Sequence, residues 1–95
     1  LDAATALKQE GNSMHVQSNY TAAVEKYAEA REGLANMTKS KEARVLIRSC
    51  LLNEASCYIK MKEFAKVVDL CDQVLEHETL NFKALYRRGL SYKEL

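Results

Sequence analysis

Apolar residues recur along this chain at intervals of three and four, the spacing that gathers them on one face of an α-helix. Leu7, Gly11 and Met14 fall at i, i+4 and i+7 and predict an amphipathic helix over residues 3–17. Ser18-Asn19-Tyr20 reads as a short turn. Ala23, Tyr27, Ala30 and Leu34 form the stripe of a second helix over 21–37. The polar break Thr38-Lys39-Ser40 follows, with Ser40 placed to cap a third helix over 41–60. Met61-Lys62-Glu63 makes a tight connection to a fourth helix over 64–76. Residues 77–80 form a loop, and a fifth helix takes the rest. In that fifth helix Leu85, Gly89 and Tyr92 read as the packing face, while Lys83 and Arg87, one turn apart, share another face.

Composition sharpens this picture. Proline is absent and glycine occurs only 3 times, so turn-rich architectures are disfavoured and an all-α chain with short connections is predicted. The 95 residues suit one domain, and 47% hydrophobic with 28% charged residues is a globular balance. A net charge of +1 argues against a nucleic-acid binder, which would be markedly basic. No apolar run approaches the roughly 20 residues of a membrane span, and no signal peptide is expected ahead of the domain. The chain begins at Leu1, so it is expected to be cut from something longer, in which an anchor or address would lie. Cys50, Cys57 and Cys71 fit no zinc spacing, and their odd number suits no closed disulfide framework. They read as buried, reduced thiols of a cytoplasmic protein. The formal glycosylation sequons at Asn19 and Asn36 are then chance matches. No cofactor and no metal site is indicated.

The helices repeat. A step of 34 residues carries Leu85, Gly89 and Tyr92 onto Leu51, Ala55 and Tyr58. A further step of 44 carries these onto Leu7, Gly11 and Met14. The same step of 44 pairs Tyr20 with Phe64, Ala23 with Val67, Tyr27 with Cys71 and Ala30 with Val74.

A helix–turn–helix unit of 34 residues resembles the tetratricopeptide repeat (TPR). The small residues Gly11, Ala55 and Gly89 stand where that repeat lets its paired helix approach, and the aromatics Tyr20 and Phe64 open the second helices. The resemblance implies a right-handed α-solenoid of two full repeats and the first helix of a third. The repeats are about 4–37, 48–81 and 82–95, with an insertion about 38–47. The ten extra residues between repeats one and two are assigned to a longer second helix and loop around 34–44, and tryptophan is absent. In the fifth helix Leu90, Tyr92 and Leu95 would lack a covering helix, so fraying or self-association through this surface is expected.

The polar residues of the first helices carry the candidate chemistry. In such a stack these helices line a concave groove. They offer Lys8 and Asn12, then Asn53, then Lys83 and Arg87: three cations and two amides from three helices. Lysine supplies a point charge, arginine a two-pronged donor and asparagine uncharged N–H groups, together suited to a carboxylate-rich chain end. Asn53 is the telling member, because it interrupts an apolar helix segment that it does not favour. The pattern Lys8-x-x-x-Asn12, Asn53, Lys83-x-x-x-Arg87 resembles the carboxylate clamp of co-chaperone TPR domains. The segments Cys57-Tyr58-Ile59-Lys60 and Ala84-Leu85-Tyr86-Arg87-Arg88-Gly89 are also similar to the TPR domains of large immunophilins and of plant organelle-surface receptors.

That resemblance implies a module binding the acidic Glu-Glu-Val-Asp tails of the seventy- and ninety-kilodalton heat-shock chaperones, in the cytoplasm or on the cytosolic face of an organelle. His15 and Lys60 are expected near the groove as secondary peptide contacts. His77 is expected near a helix C-terminus in a structural role. The series Glu25, Glu29 and Glu32 reads as a solvated outer face. The competing reading is a TPR scaffold that grips an internal segment of another partner. An enzyme is disfavoured, since no nucleophile–base pair, metal spacing or phosphate loop is present. RNA binding would require repeated stacking residues, for which only Tyr86 is a candidate.

Overall fold

The computed structural model describes residues 1–95, and every regular element in it is helical. The helices are α1 (Asp2–Val16), α2 (Tyr20–Glu32), α3 (Lys41–Lys60), α4 (Phe64–Leu75) and α5 (Phe82–Glu94). Two starts are fixed by side chains. Ser40 Oγ accepts the Ala43 N–H at 3.2 Å, and Asn81 Oδ1 accepts the Ala84 N–H at 3.0 Å. Each satisfies an N–H that the helix cannot pair internally.

The turns repeat as well as the helices. Ser18 and Lys62, 44 residues apart, both adopt left-handed backbone, with φ of 62° and 60°. The N–H that follows each one reaches back to close the helix end: Asn19 to the Met14 carbonyl at 2.8 Å, and Glu63 to that of Tyr58 at 2.9 Å. Ser18 and Lys62 themselves donate to His15 and Ile59 at 2.9 and 3.0 Å. This pair of bonds is the Schellman closure, here built without the usual glycine.

The second helix is shorter than its apolar stripe suggests. It ends at Glu32, and residues 33–36 form a turn. Gly33 weakens the helix there. Leu34, Ala35 and Met37 then bond three residues back, to Arg31, Glu32 and Leu34. Leu34 still reaches the core from this turn, at 3% exposure. The ten extra residues therefore lie in the turn and in the early part of the 20-residue α3, not in a lengthened α2.

Each helix packs on its sequence neighbour, and weaker contacts join α1 to α3 and α3 to α5. The result is a sequential stack of helix–turn–helix pairs, consistent with a TPR-like solenoid. It has two buried clusters: one centred on Ala23, Tyr27, Cys50 and Cys57, the other on Leu51, Ala55, Val67, Cys71 and Val74. Helix α3 serves both, and the partly buried Ile47 and Tyr58 touch both.

A first helix thus carries two seams. Gly11 and Ala55 lie on the seam toward the following helix, and Cys50 and Cys57 on the seam toward the preceding pair. A step of 34 carries Cys50 and Cys57 onto Ala84 and Ser91, both 0% exposed. These two, with Leu85 half-buried, form the packed face of α5. Gly89 and Tyr92 are exposed, which corrects the packing face expected from Leu85, Gly89 and Tyr92. The reason is positional: Gly89 and Tyr92 lie on the seam toward a following helix, and residues 1–95 contain none after α5.

The three equivalent small residues should therefore respond differently to substitution. A Cβ on Gly11 would stand 2.8 Å from Tyr27 Cε1 and 2.9 Å from Cδ1, and that ring is buried. Gly11→Ala is expected to destabilise by about 1–3 kcal/mol through overpacking. At Gly89 a Cβ would meet nothing within 4 Å. Gly89→Ala should stabilise by about 0.5–1 kcal/mol, because glycine is a poor mid-helix residue. Urea unfolding midpoints of the two variants should move in opposite directions.

Candidate peptide-binding groove

Along α1, residues Thr5, Lys8, Asn12 and His15 follow one another at helical spacing, and along α3 so do Ser49, Asn53, Ser56 and Lys60. The structure sets these rows side by side as two successive hollows. The first, of about 420 Å³, is lined by Leu1, Thr5 and Lys8 from one side and by Lys41, Glu42, Val45, Leu46 and Ser49 from the other. The next, of about 290 Å³, is lined by Asn12, His15, Val16, Tyr27, Asn53, Ser56 and Arg87. Lys8 and Asn12 are one helical turn apart, as are Ser49 and Asn53, so the hollows are consecutive sections of one groove.

Three of the five predicted residues, Asn12, Asn53 and Arg87, come together in the second hollow with His15. Lys8 lines the adjoining section. Lys83 is exposed one turn before Arg87 on α5 and lines neither hollow. Lys60 also lies outside both, exposed at the end of α3 on the face that carries Asn53 and Ser56. His77 lies just past the end of α4, beside a different hollow with Arg44 and Arg48. Glu25, Glu29 and Glu32 are exposed, as a solvated face requires.

Two groove residues are held by the fold. Tyr27, from α2, donates its hydroxyl hydrogen to Asn12 Oδ1 at 2.5 Å. Its ring fits only because residue 11 is glycine. Burial pushes the Tyr27 hydroxyl up to about 12, so it keeps its proton throughout the neutral range. Arg87 Nη1 donates to the Leu52 carbonyl at 2.8 Å, which fixes α5 against α3 and leaves other guanidinium hydrogens available. His15 meets Tyr20 edge to face, with ring centroids 5.4 Å apart.

Periodicity alone assigned Tyr27 to the core and did not single out Ser56. The signal for Ser56 was present, because the step of 44 carries Asn12 onto it. The signal for Tyr27 was the pairing of a glycine at 11 with a hydroxyl-bearing aromatic in the facing helix.

The second hollow contains one permanent cation, two amides, two hydroxyls and an imidazole, and no carboxylate lines it. Lys8, Lys83 and Arg87 take part in none of the chain's ion pairs. Such a surface offers hydrogen-bond donors and positive potential to an anion. No group of three His, Cys, Asp or Glu side chains is arranged to hold a metal. No helix is long and apolar enough to cross a membrane.

Comparison with known proteins extends this picture. The chain is 38% identical over 95 residues to Outer envelope protein 61 of Arabidopsis thaliana, a match covering 100% of this chain and 17% of that protein. It is 37% identical over 90 residues to human Sperm-associated antigen 1, covering 95% of this chain and 9% of that protein. It is 30% identical over 92 residues to FK506-binding protein 5 of Rhizopus delemar, covering 92% of this chain and 24% of that protein. The chain thus spans about a quarter or less of the relatives it matches. No family model matches it.

Proposed function

We propose that this chain is a TPR protein-interaction module of the carboxylate-clamp type. It binds the acidic C-terminal tails of the seventy- and ninety-kilodalton heat-shock chaperones, on the cytosolic side of the cell, and performs no chemistry on them. The observation that carries this reading is the meeting of Asn12, Asn53 and Arg87, from three helices, in a hollow with no carboxylate. Lys8 and Lys83 extend the positive surface along α1 and α5. The relatives support the same reading by their names, an FK506-binding protein and an outer envelope protein, since the sequence resembles immunophilins and organelle-surface receptors.

Calorimetry with a peptide ending in Glu-Glu-Val-Asp tests it. An affinity of about 1–100 μM is expected, because a disordered tail must be ordered for a handful of contacts. A hydrogen bond to a charged group contributes about 1.5–3 kcal/mol, so Arg87→Ala should weaken binding roughly tenfold or more. Lys8→Ala should also weaken it, and Lys8 has no ion pair within the chain whose loss would confuse the result. The same peptide with an amidated C-terminus should bind much more weakly. Equal binding of acid and amide would favour recognition of an internal segment, and indifference to both substitutions would sink the clamp.

A further inference from the structure

We propose that Tyr27 is a positioning residue of the groove: it ties up the amide oxygen of Asn12, so that Asn12 presents only N–H donors to a ligand. The inference deepens the proposed function by stating which half of one site residue meets the peptide. Tyr27 lies behind the groove wall at 1% exposure, on α2, a helix whose other site contributions are nil. Its hydroxyl ends 2.5 Å from Asn12 Oδ1. A buried phenol needs an acceptor for its hydrogen, and Asn12 is the acceptor this one has. With the amide turned the other way, NH₂ would face the hydroxyl. The phenolic oxygen would then accept, and the phenolic hydrogen would be left without a partner inside the protein. The hydroxyl therefore decides the amide's orientation.

The backbone supports the same arrangement. Gly11, adjacent to Asn12, admits the ring that delivers the hydroxyl, since any Cβ there would meet ring carbons within 3 Å. The second repeat lacks the device. A step of 44 replaces Gly11, Asn12 and Tyr27 with Ala55, Ser56 and Cys71, which together have neither an amide to orient nor a phenol to orient it. The first repeat has thus turned a packing position into a support for the site. A donor-only Asn12 favours a carboxylate, which accepts at both oxygens, over a neutral amide end, which offers one acceptor and its own N–H donors.

The test uses Tyr27→Phe, which keeps the ring and removes the hydroxyl, in a cycle with Asn12→Ala. Binding of the acidic peptide, as free acid and as amide, is measured for the four proteins. Tyr27→Phe should weaken the free acid roughly three- to tenfold, in the range of one hydrogen bond, and narrow the preference for acid over amide. In the Asn12→Ala background the same substitution should have no further effect. An equal effect in both backgrounds would mean that Tyr27 acts through the fold alone, and would overturn the proposal. In parallel, the side-chain NH₂ resonances of Asn12 are followed in the peptide-free protein. One rigid, slowly exchanging pair is expected in the wild type and an averaged pair in Tyr27→Phe. Identical Asn12 signals in both proteins would also overturn it. Because that readout needs no ligand, failure of the peptide to bind would sink the functional reading without deciding the positioning role.

Discussion

Replacing Arg31 by methionine should remove about 3 kcal/mol or more of stability, and replacing Glu54 by leucine should remove less. Glu54 is only 2% exposed, and Arg31 grips it with two bonds, Nε to Oε2 at 2.5 Å and Nη2 to Oε1 at 3.1 Å. The pair ties α2 to α3, and so joins the first hairpin to the second. Losing one member of a buried pair typically costs about 3–5 kcal/mol, because the other is left charged in a poor solvent. The two losses are not symmetrical here. The Arg31 side chain is 25% exposed and can turn toward water, whereas Glu54 has nowhere to go.

Burial already raises the Glu54 carboxyl above its ordinary 4.5, and the hydrogen bonds from Arg31 work against that rise. The same bonding holds Arg31 in its charged form. Without Arg31 the carboxyl should rise further. A carboxyl raised on folding holds its proton more tightly in the native state, so its contribution is intact below 4.5 and is lost as pH climbs through the raised native value. Arg31→Met should therefore be least damaging in acid and progressively worse toward neutrality. The double variant Arg31→Met/Glu54→Leu should recover most of the loss, since an apolar pair of similar volume often matches a buried ion pair. Urea midpoints measured from pH 4 to 8 for the three variants provide the check. A pH-independent loss in Arg31→Met would mean that Glu54 finds another partner or water.

Neither residue stood out in the sequence, for a physical reason. Glu54 sits between Asn53 and Ala55 on α3, and one charged residue in a half-polar helix looks solvated until the facing helix is known. The helices themselves were legible because each has a stripe to bury. Their ends were less so, since Gly33 and three short backbone bonds stop α2 before its apolar pattern does. The turns at Ser18-Asn19-Tyr20 and Met61-Lys62-Glu63 were legible but not their backbone, because serine and lysine give no hint of left-handed φ.

In the groove, Asn12 and His15 from α1 and Asn53 from α3 line one hollow. A one-dimensional pattern has no way to say that Tyr27 reaches between them from behind. Nor does it separate Gly11 from Gly89, which the repeat makes equivalent and the packing makes opposite. What distinguishes them is whether a following helix is present, a property of the neighbour and not of the residue.

Raising the pH through 9 to 11 should unfold this protein more steeply than loss of lysine charge alone would. Cys50, Cys57 and Cys71 are each 0% exposed, and all three are free thiols. Burial pushes Cys50, Cys57 and Cys71 from 9.0 up to about 11. Tyr27 moves the same way, from 10.0 to about 12. In the unfolded chain the thiols ionise near 9, while in the native core they hold their protons for roughly two further pH steps. The stability tied to each is complete below 9 and drains away as pH rises toward 11. For a fully buried thiol that difference is worth about 2–3 kcal/mol. Three of them rival the whole stability of a small domain, about 5–15 kcal/mol. Circular dichroism across this range should show cooperative loss of helix. Cys71→Ala lowers stability at neutral pH by opening a small cavity, yet it should flatten the decline between pH 9 and 11 by about a third. At neutral pH the three thiols should react with maleimide only as fast as the core opens. Rapid labelling of the native protein, or an unchanged alkaline slope in Cys71→Ala, would show that the thiols are not the buried acids described here.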